Sequence, residues 1–183
     1  DITVGNISQM GGDGAQAQFR FRNATKVSFA ARQIDVATLL DDVKAYIRTK
    51  PKELNWEKID VSNIGYRLVE KNQEKYVGAQ VAAWDVDLQP RANHFDRRIT
   101  VPTPLKKAGA YLLTGTLANG NVSRVVVWLA DTAIVRKPLA DASMTYVADA
   151  VTGLPIAGAK LDFFGYWQEW HQEKVNENKY RQS

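Results

Sequence analysis

The sequence predicts a mainly β protein: an antiparallel β-sandwich with one inserted amphipathic helix at about residues 35–48, followed by part of a second β-sandwich. Three observations predict this fold. Polar and apolar residues alternate over several segments, an Asn-Gly turn joins two of these segments, and a single stretch changes to helical spacing. With 45% hydrophobic and 24% charged residues, the chain has the composition of an ordinary globular protein.

The strands are predicted from a period of two in hydrophobicity and from their content of Val, Thr, Tyr and Trp. In residues 18–22, Phe19 and Phe21 alternate with polar side chains. The pair Asn119-Gly120 suits a tight type I′ turn, in which both central residues need positive φ, so the flanking strands should pair antiparallel. The predicted strands of this part of the chain span residues 2–7, 18–22, 26–32, 76–84, 99–101, 110–116 and 122–129.

One segment departs from the β pattern. Asp35 can cap a helix, and Pro51 ends it because the residue before a proline avoids the α region. The apolar residues that recur at helical spacing are Val36, Leu39, Leu40, Val43 and Ile47. We interpret this helix as an insertion that packs its apolar stripe on a sheet, rather than as a membrane-binding or partner-binding helix. The opposite, polar face carries Asp41, Asp42, Lys44 and Arg48.

The character of the sequence changes near Asp131, and we predict a domain boundary there. Residues 1–130 form one sandwich with the helical insertion, and residues 131–183 form the N-terminal strands of a second, incomplete domain. Further strands are predicted at residues 132–137, 143–150 and 160–164, and a loop rich in Gly and Pro precedes the last of them. A complete sandwich of immunoglobulin type needs about seven strands over about 100 residues, more than this part provides.

The residue types exclude several kinds of chemistry. The chain has no cysteine, which excludes disulfides, zinc ribbons, iron–sulfur clusters, a cysteine nucleophile and a thioester. His94 and His171 lack a second histidine at ligand spacing, and neither G-x-S-x-G nor a phosphate-binding loop occurs. The motif Asp85-Val86-Asp87 falls on a strand, where both carboxylates share a solvated face. We therefore predict no enzyme and no catalytic, metal-binding or cofactor-binding residues; a hydrolase with carboxylates that meet only in space is a weaker alternative.

Charge and hydropathy exclude two classes of partner. The net charge is +4, but basic and acidic residues are interleaved along the chain, whereas a nucleic-acid-binding protein gathers its Lys and Arg on one stripe. No apolar run approaches the roughly 18 residues that span a bilayer. We predict neither nucleic-acid binding nor membrane insertion by this segment.

An aromatic segment near the C-terminus is the strongest candidate for binding. In residues 163–170, Phe164 and Tyr166 should face one side of an extended chain, and Phe163 and Trp167 the other. We favour a structural role, in a core or against a neighbouring strand. Exposed aromatic rings also suit stacking on sugars or docking of a partner, so a possible binding surface comprises Tyr166, Trp167 and Trp170.

Three sequence segments, or phrases, follow one another along the chain, and their order is informative. Residues 19–40 read strand, Arg-Asn, strand and helix start; residues 99–113 read a strand ended by proline and then Gly-Ala-Tyr-Leu-Leu; residues 131–161 contain Thr-Gly-Leu-Pro-Ile-Ala-Gly-Ala. In this order they resemble the macroglobulin-like domains of the alpha-2-macroglobulin family, in particular its large bacterial members. The third phrase alone indicates only a fibronectin-like β-sandwich. The predicted sandwich as a whole is of the fibronectin-III or immunoglobulin type.

The resemblance implies a non-catalytic structural module of a large protease inhibitor, a protease trap of the bacterial cell envelope located in the periplasm or at the cell surface. Its partners would be the other domains of the parent protein and, through the parent, target proteases. No functional residue is carried over, because nothing in the chain matches the family's thioester or a bait segment. The alternative is a carbohydrate- or protein-binding β-sandwich module of a surface adhesin or carbohydrate-active protein, with Tyr166, Trp167 and Trp170 as its platform.

Overall fold

The computed structural model describes residues 1–3, 8–10, 14–61, 64–69 and 73–168. Within these residues, the helices are α1 (Val36–Arg48), α2 (Trp56–Ile59) and α3 (Ile64–Val69). The strands are β1 (Ile2–Thr3), β2 (Ser8–Met10), β3 (Gln16–Phe21), β4 (Lys26–Ile34), β5 (Val77–Asp87), β6 (Arg97–Pro102), β7 (Gly109–Leu117), β8 (Val122–Ala130), β9 (Thr132–Pro138) and β10 (Ser143–Asp149). None of the helices in these ranges is long and apolar enough to cross a membrane.

Two sheets pack face to face. One has three strands in the order β1-β3-β6, and the other has five in the order β2-β8-β7-β4-β5. Neighbouring strands are antiparallel, except that β2 runs parallel to β8. Because successive side chains alternate between the two faces of a strand, Phe19, Phe29 and Leu113 all reach the shared inner core. The predicted mainly β fold with a sandwich core is confirmed.

Strand β7 is buried on both faces. Tyr111 and Leu113 belong to the core between the sheets, whereas Ala110 and Leu112 belong to a second buried cluster on the outer face of the five-stranded sheet. The three helices contribute to this second cluster, for example through Leu39 of α1. A strand covered on both sides needs apolar residues at consecutive positions, which explains the uninterrupted run at the start of β7.

Helix α1 confirms the predicted insertion. The Asp35 carboxylate accepts a hydrogen bond from the backbone N–H of Thr38 at 3.0 Å, as an N-cap does. Leu39 and Val43 are buried against the sheet, but Leu40, predicted to share the apolar stripe, is exposed. The sequence did not predict α2 or α3, because helices of four and six residues are too short to display a helical period.

The hairpin between β7 and β8 pairs antiparallel as predicted, but through a different turn. Thr116 lies opposite Val122, and the N–H of Gly120 donates to the carbonyl of Leu117 at 2.9 Å. Gly120 has φ +87°, whereas Asn119 does not adopt a positive φ. The connection is therefore a three-residue loop that ends in a left-handed glycine, and the type I′ prediction is wrong.

The part of the chain that follows β8 forms a separate two-stranded sheet. β9 and β10 pair antiparallel from Thr132↔Asp149 to Pro138↔Ser143. The N–H of Ile156 still donates to the carbonyl of Val147, at 2.9 Å. After that the chain turns at Gly158, which has φ +71°. Residues 160–168 then run without strand pairing, so the strand predicted at residues 160–164 is wrong.

The first predicted strand and the predicted domain boundary are described only in part. Of the predicted first strand, residues 2–3 lie in β1, and residues 4–7 lie outside the described part. β8 ends at Ala130 and β9 begins at Thr132, close to the predicted domain boundary. The division into two domains stays a prediction.

Candidate interaction surface

The C-terminal aromatic segment is exposed. Trp167 is 83% accessible to solvent and Tyr166 is 45% accessible. Phe164 and Tyr166 are less exposed than Phe163 and Trp167, the alternation expected of an extended chain. The segment is not a strand of a sheet, so these rings do not form a platform on a sheet face. Trp170, the third residue of the predicted surface, lies outside the described residues.

One side of this segment contacts helix α1. Asp162 forms an ion pair with Lys44, and the guanidinium carbon of Arg48 lies 5.6 Å from the centre of the Phe164 ring. The Lys44 side chain is only 20% exposed, although the sequence placed it on a solvated helix face. The hydrogen bond from Lys44, followed by the charges of Lys44 and Arg48, lowers the pKa of Asp162. The polar face of α1 is thus partly covered by residues more than 100 positions away along the chain.

The β9–β10 hairpin exposes apolar side chains on both faces. Ile134 is directly opposite Val147, and Val135 is opposite Tyr146 on the other face. Ile134, Val135 and Tyr146 are all exposed. A two-stranded hairpin has no second sheet to bury these side chains, and in isolation such a hairpin is only marginally stable. Both faces therefore offer apolar surface to a covering layer.

A polar cluster joins α1 to the segment before β5. The hydroxyl of Tyr76 donates to the Asp42 carboxylate at 2.7 Å, and the Lys75 ammonium lies 2.6 Å from the same oxygen. These two hydrogen bonds, that of Lys75 first, lower the pKa of Asp42. The buried guanidinium of Arg67 lies 5.8 Å from the Tyr76 ring and donates to Gln73. This network anchors α1 and holds an ionised carboxylate, which suits a structural role.

Two of the residues that the sequence analysis considered as metal ligands and rejected, His94 and Asp85, are held by neighbouring groups. His94 Nδ1 lies 2.8 Å from the side-chain oxygen of Asn23, and Asp85 accepts hydrogen bonds from Ser28 and Lys26 at 2.7 and 2.8 Å. The bond from Lys26, then that from Ser28, lowers the pKa of Asp85. Throughout the described ranges, no three His, Asp or Glu residues are grouped so that they could hold a metal ion. His171 lies outside those ranges.

Two adjoining hollows lie at one end of the sandwich, between the β3–β4 turn and the β7–β8 hairpin. They share Arg22, Leu117 and Asn121. Arg22 is paired with Asp96 at 2.9 Å, and both hollows are open to solvent. A ligand site needs convergent polar groups in an enclosing cleft, whereas here the Arg22 Nε–H is already directed at Asp96 and the surrounding surface is open.

No protein-family model matches the sequence, and no curated protein matches it significantly. Solved structures do match. The chain is similar to domains of alpha-2-macroglobulin from Escherichia coli. A crystal structure spanning domains MG0-NIE-MG1 matches 85% of this chain and 47% of its own length, with 12% identity and a TM-score of 0.48.

Two further structures of that protein are similar. One spans domains NIE-MG1, with 12% identity, a TM-score of 0.47 and coverage of 85% of this chain and 72% of its own. The other is a cryo-EM reconstruction of the native conformation, with 13% identity, a TM-score of 0.49 and coverage of 85% and 9%. This chain thus spans about half of the first of these structures and a small part of the last.

Proposed function

We propose that the chain is a non-catalytic structural module of a large alpha-2-macroglobulin-like protease inhibitor, a protease trap of the bacterial cell envelope that lies in the periplasm or at the cell surface. The observation that carries this proposal is the order and placement of three family-like phrases. Residues 19–40 cover the β3–β4 turn and the start of α1, residues 99–113 cover the passage from β6 to β7, and residues 131–161 cover the β9–β10 hairpin and the turn after it. Each phrase therefore lies at a junction that determines the path of the chain.

A structural role agrees with the chemistry of the described residues. The carboxylates of Asp42, Asp85 and Asp96 are each engaged by a neighbouring cation. A general base or nucleophile instead needs to be available to a substrate. Two buried clusters, one between the sheets and one under the helices, give the described residues of the range 1–130 the continuous packing that a stiff body needs. Such a body can transmit a rearrangement of the parent protein without unfolding.

We further propose that residues 131–183 begin a second sandwich, whose other strands cover the β9–β10 hairpin. The support is the exposure of apolar side chains on both faces of that hairpin, including Ile134 and Val135. Contiguous apolar surface of this kind marks an interface with a further layer. The direct partners of the chain are then other domains of the parent protein.

The experiment that tests the trap uses the whole polypeptide that contains this chain. The polypeptide is incubated with an endopeptidase, and hydrolysis of a small chromogenic peptide and of a large protein substrate is followed in parallel. A trap leaves cleavage of the small peptide intact and suppresses cleavage of the large protein, because only the small peptide reaches the enclosed enzyme. The 183-residue chain alone should leave cleavage of both substrates unchanged. Equal cleavage of both substrates with and without the polypeptide overturns the proposal.

A second candidate is a carbohydrate- or protein-binding module, favoured by the exposure of Trp167 and Tyr166. Titration of the chain with soluble oligosaccharides, followed by tryptophan fluorescence, separates the two functions. A saturable change that is lost in Trp167→Ala and retained in Trp56→Ala, a substitution of another exposed tryptophan, supports the binding module. No saturable change with any oligosaccharide argues against carbohydrate binding.

A further inference from the structure

We infer that residues 160–168 act as a latch on helix α1: the segment docks on the helix through Asp162 and Phe164 and thereby fixes the orientation of the β9–β10 hairpin relative to the sandwich. The latch is a conformational device of this chain and does not depend on the proposed function. It explains three features: the turn at Gly158, the low exposure of Lys44 and the absence of strand pairing in residues 159–168, the last that the structure describes.

The path of the chain provides the first step of the argument. Residues 154–156 follow the edge of β10, with Pro155 opposite Ala148 and the N–H of Ile156 bonded to the carbonyl of Val147. At Gly158 the backbone takes φ +71°, a conformation that L residues adopt only at a cost. As far as the structure describes the chain, to residue 168, strand pairing does not resume after that turn. The segment instead reaches α1, where Asp162 meets Lys44.

The matching spacing of the two elements is the second step. Lys44 and Arg48 are four residues apart in α1, so their side chains lie on one ridge, about 6 Å apart along the helix axis. Asp162 and Phe164 are two residues apart in an extended segment, so they point to the same side, about 7 Å apart. The spacing of the two pairs therefore matches. The Asp162 carboxylate meets the Lys44 ammonium, and the Phe164 ring lies under the Arg48 guanidinium.

The third step concerns burial and charge. A lysine side chain is seldom covered without a reason, and that of Lys44 is only 20% exposed while its partner Asp162 is 74% exposed. The segment thus lies over the lysine stem, and its carboxylate takes up the charge of the ammonium. At or near a protein surface, an ion pair and a cation–π contact each shift an equilibrium by only about fivefold, so the latch needs both contacts together to hold the hairpin in one orientation.

Two experiments on the full chain test the latch. In the first, a carbodiimide couples amines to carboxylates that are already in contact, and mass spectrometry identifies the joined peptides. The Lys44–Asp162 pair should couple, as should the Lys75–Asp42 pair of the α1 anchor, which serves as an internal standard. Coupling at Lys75 without any at Lys44 overturns the latch.

The second experiment measures orientation. Since the chain has no cysteine, spin labels on Ala118→Cys, at the β7–β8 hairpin, and Ala140→Cys, in the β9–β10 connection, report one distance. A narrow distance distribution should broaden in Lys44→Glu, remain narrow in the control Lys52→Glu, which reverses another exposed lysine, and become narrow again in Lys44→Glu/Asp162→Lys. An unchanged distribution in Lys44→Glu, or broadening that the double variant does not reverse, overturns the latch. Equal broadening in Lys52→Glu would assign the effect to net charge and overturn it as well.

Discussion

Gly115 lies in β7 at a point where a larger side chain has no room. A Cβ added there would lie 3.0 Å from Ile2 Cδ1 and 3.0 Å from Phe29 Cε1 in the core between the sheets. Gly115→Ala should therefore reduce the free energy of unfolding by about 1–3 kcal/mol, the usual cost of overpacking. Urea titration followed by tryptophan fluorescence measures this change.

Gly65 provides the matched control for that substitution. It lies in α3, and a Cβ there would be 3.6 Å from Val126, an ordinary contact. Gly65→Ala should raise the free energy of unfolding by about 0.5–1 kcal/mol, because alanine has the higher helix propensity. Equal effects of the two substitutions would mean that Gly115 is not enclosed by the two sheets.

Tyr76 and Asp42 give the molecule a defined dependence on pH. The pKa of Asp42 is lowered in the folded state, first by Lys75 and then by Tyr76. A carboxyl group of lowered pKa stabilises the fold at pH values above its ordinary pKa, and this contribution is lost as the pH falls through the folded-state pKa. Tyr76→Phe removes one of the two hydrogen bonds, so it should destabilise the protein at neutral pH and do so less at about pH 2.

Tyr111→Phe is the control that isolates the role of Asp42. The Tyr111 hydroxyl donates to the backbone carbonyl of Lys107 at 2.8 Å, and a carbonyl does not titrate. Loss of this hydrogen bond in Tyr111→Phe should reduce the free energy of unfolding by about 1 kcal/mol at neutral and acidic pH alike. Urea titrations at the two pH values measure both variants. A Tyr76→Phe effect that does not change with pH would show that its hydroxyl does not act through an ionised Asp42.

At the scale of the element, helix α1 has one face that packs on the sheet and another that is exposed. Leu39 and Leu40 are adjacent, but Leu39 is 0% exposed and packs on the sheet, whereas Leu40 is 38% exposed. Leu39→Ala should reduce the free energy of unfolding by about 2–5 kcal/mol, the range for a buried leucine that leaves a cavity. Leu40→Ala removes the same atoms from an exposed position and should change it by only about 0.5 kcal/mol. Chemical denaturation of the two variants measures the difference, and similar losses would contradict the packing of α1 described above.

What the sequence could predict depends on the length and regularity of each element. β4, β7, β8 and α1 have 9 to 13 residues and a clear period, so their existence and type are predictable. Polar and apolar side chains also alternate in residues 160–164, but this pattern does not reveal whether a partner strand is available. The turn at Gly158 directs the segment away from the edge of β10, so it does not pair there. The Asn119-Gly120 pair identifies a hairpin, whereas the turn type depends on which residues pair, and the register places only the glycine at positive φ.

Only the local features of the candidate surface were predictable from the sequence; its long-range contact with α1 was not. The exposure of Trp167 and the alternation of the aromatic rings follow from local sequence. The pairing of Lys44 with Asp162 does not follow from local sequence, because 118 positions separate the two residues and nothing in the sequence around either one identifies the other as its partner. Long-range charge pairs become visible only when the fold brings the two elements together. The most informative contact of the C-terminal segment is of this kind.

At the scale of the whole molecule, the described residues contain two bodies of different character. The two buried clusters lie between Ile2 and Leu129, in the sandwich and its helical layer. Beyond Ala130, the hairpin has exposed apolar residues on both faces and is tied back to the rest through the latch. A hairpin without a core of its own takes its order from what it contacts, so the latch and any covering strands determine where it lies.

This organisation predicts how the chain behaves when it is divided at the proposed boundary. A fragment of residues 1–130 should unfold cooperatively, because both buried clusters lie within it. A fragment of residues 131–183 should show no cooperative transition, because a two-stranded sheet is too small to be stable alone. Thermal unfolding followed by near- and far-ultraviolet circular dichroism distinguishes the two. A cooperative transition in the shorter fragment, or the loss of one in the longer, would place the boundary away from residue 130, whereas the predicted pair of results would establish residues 1–130 as an independent folding unit.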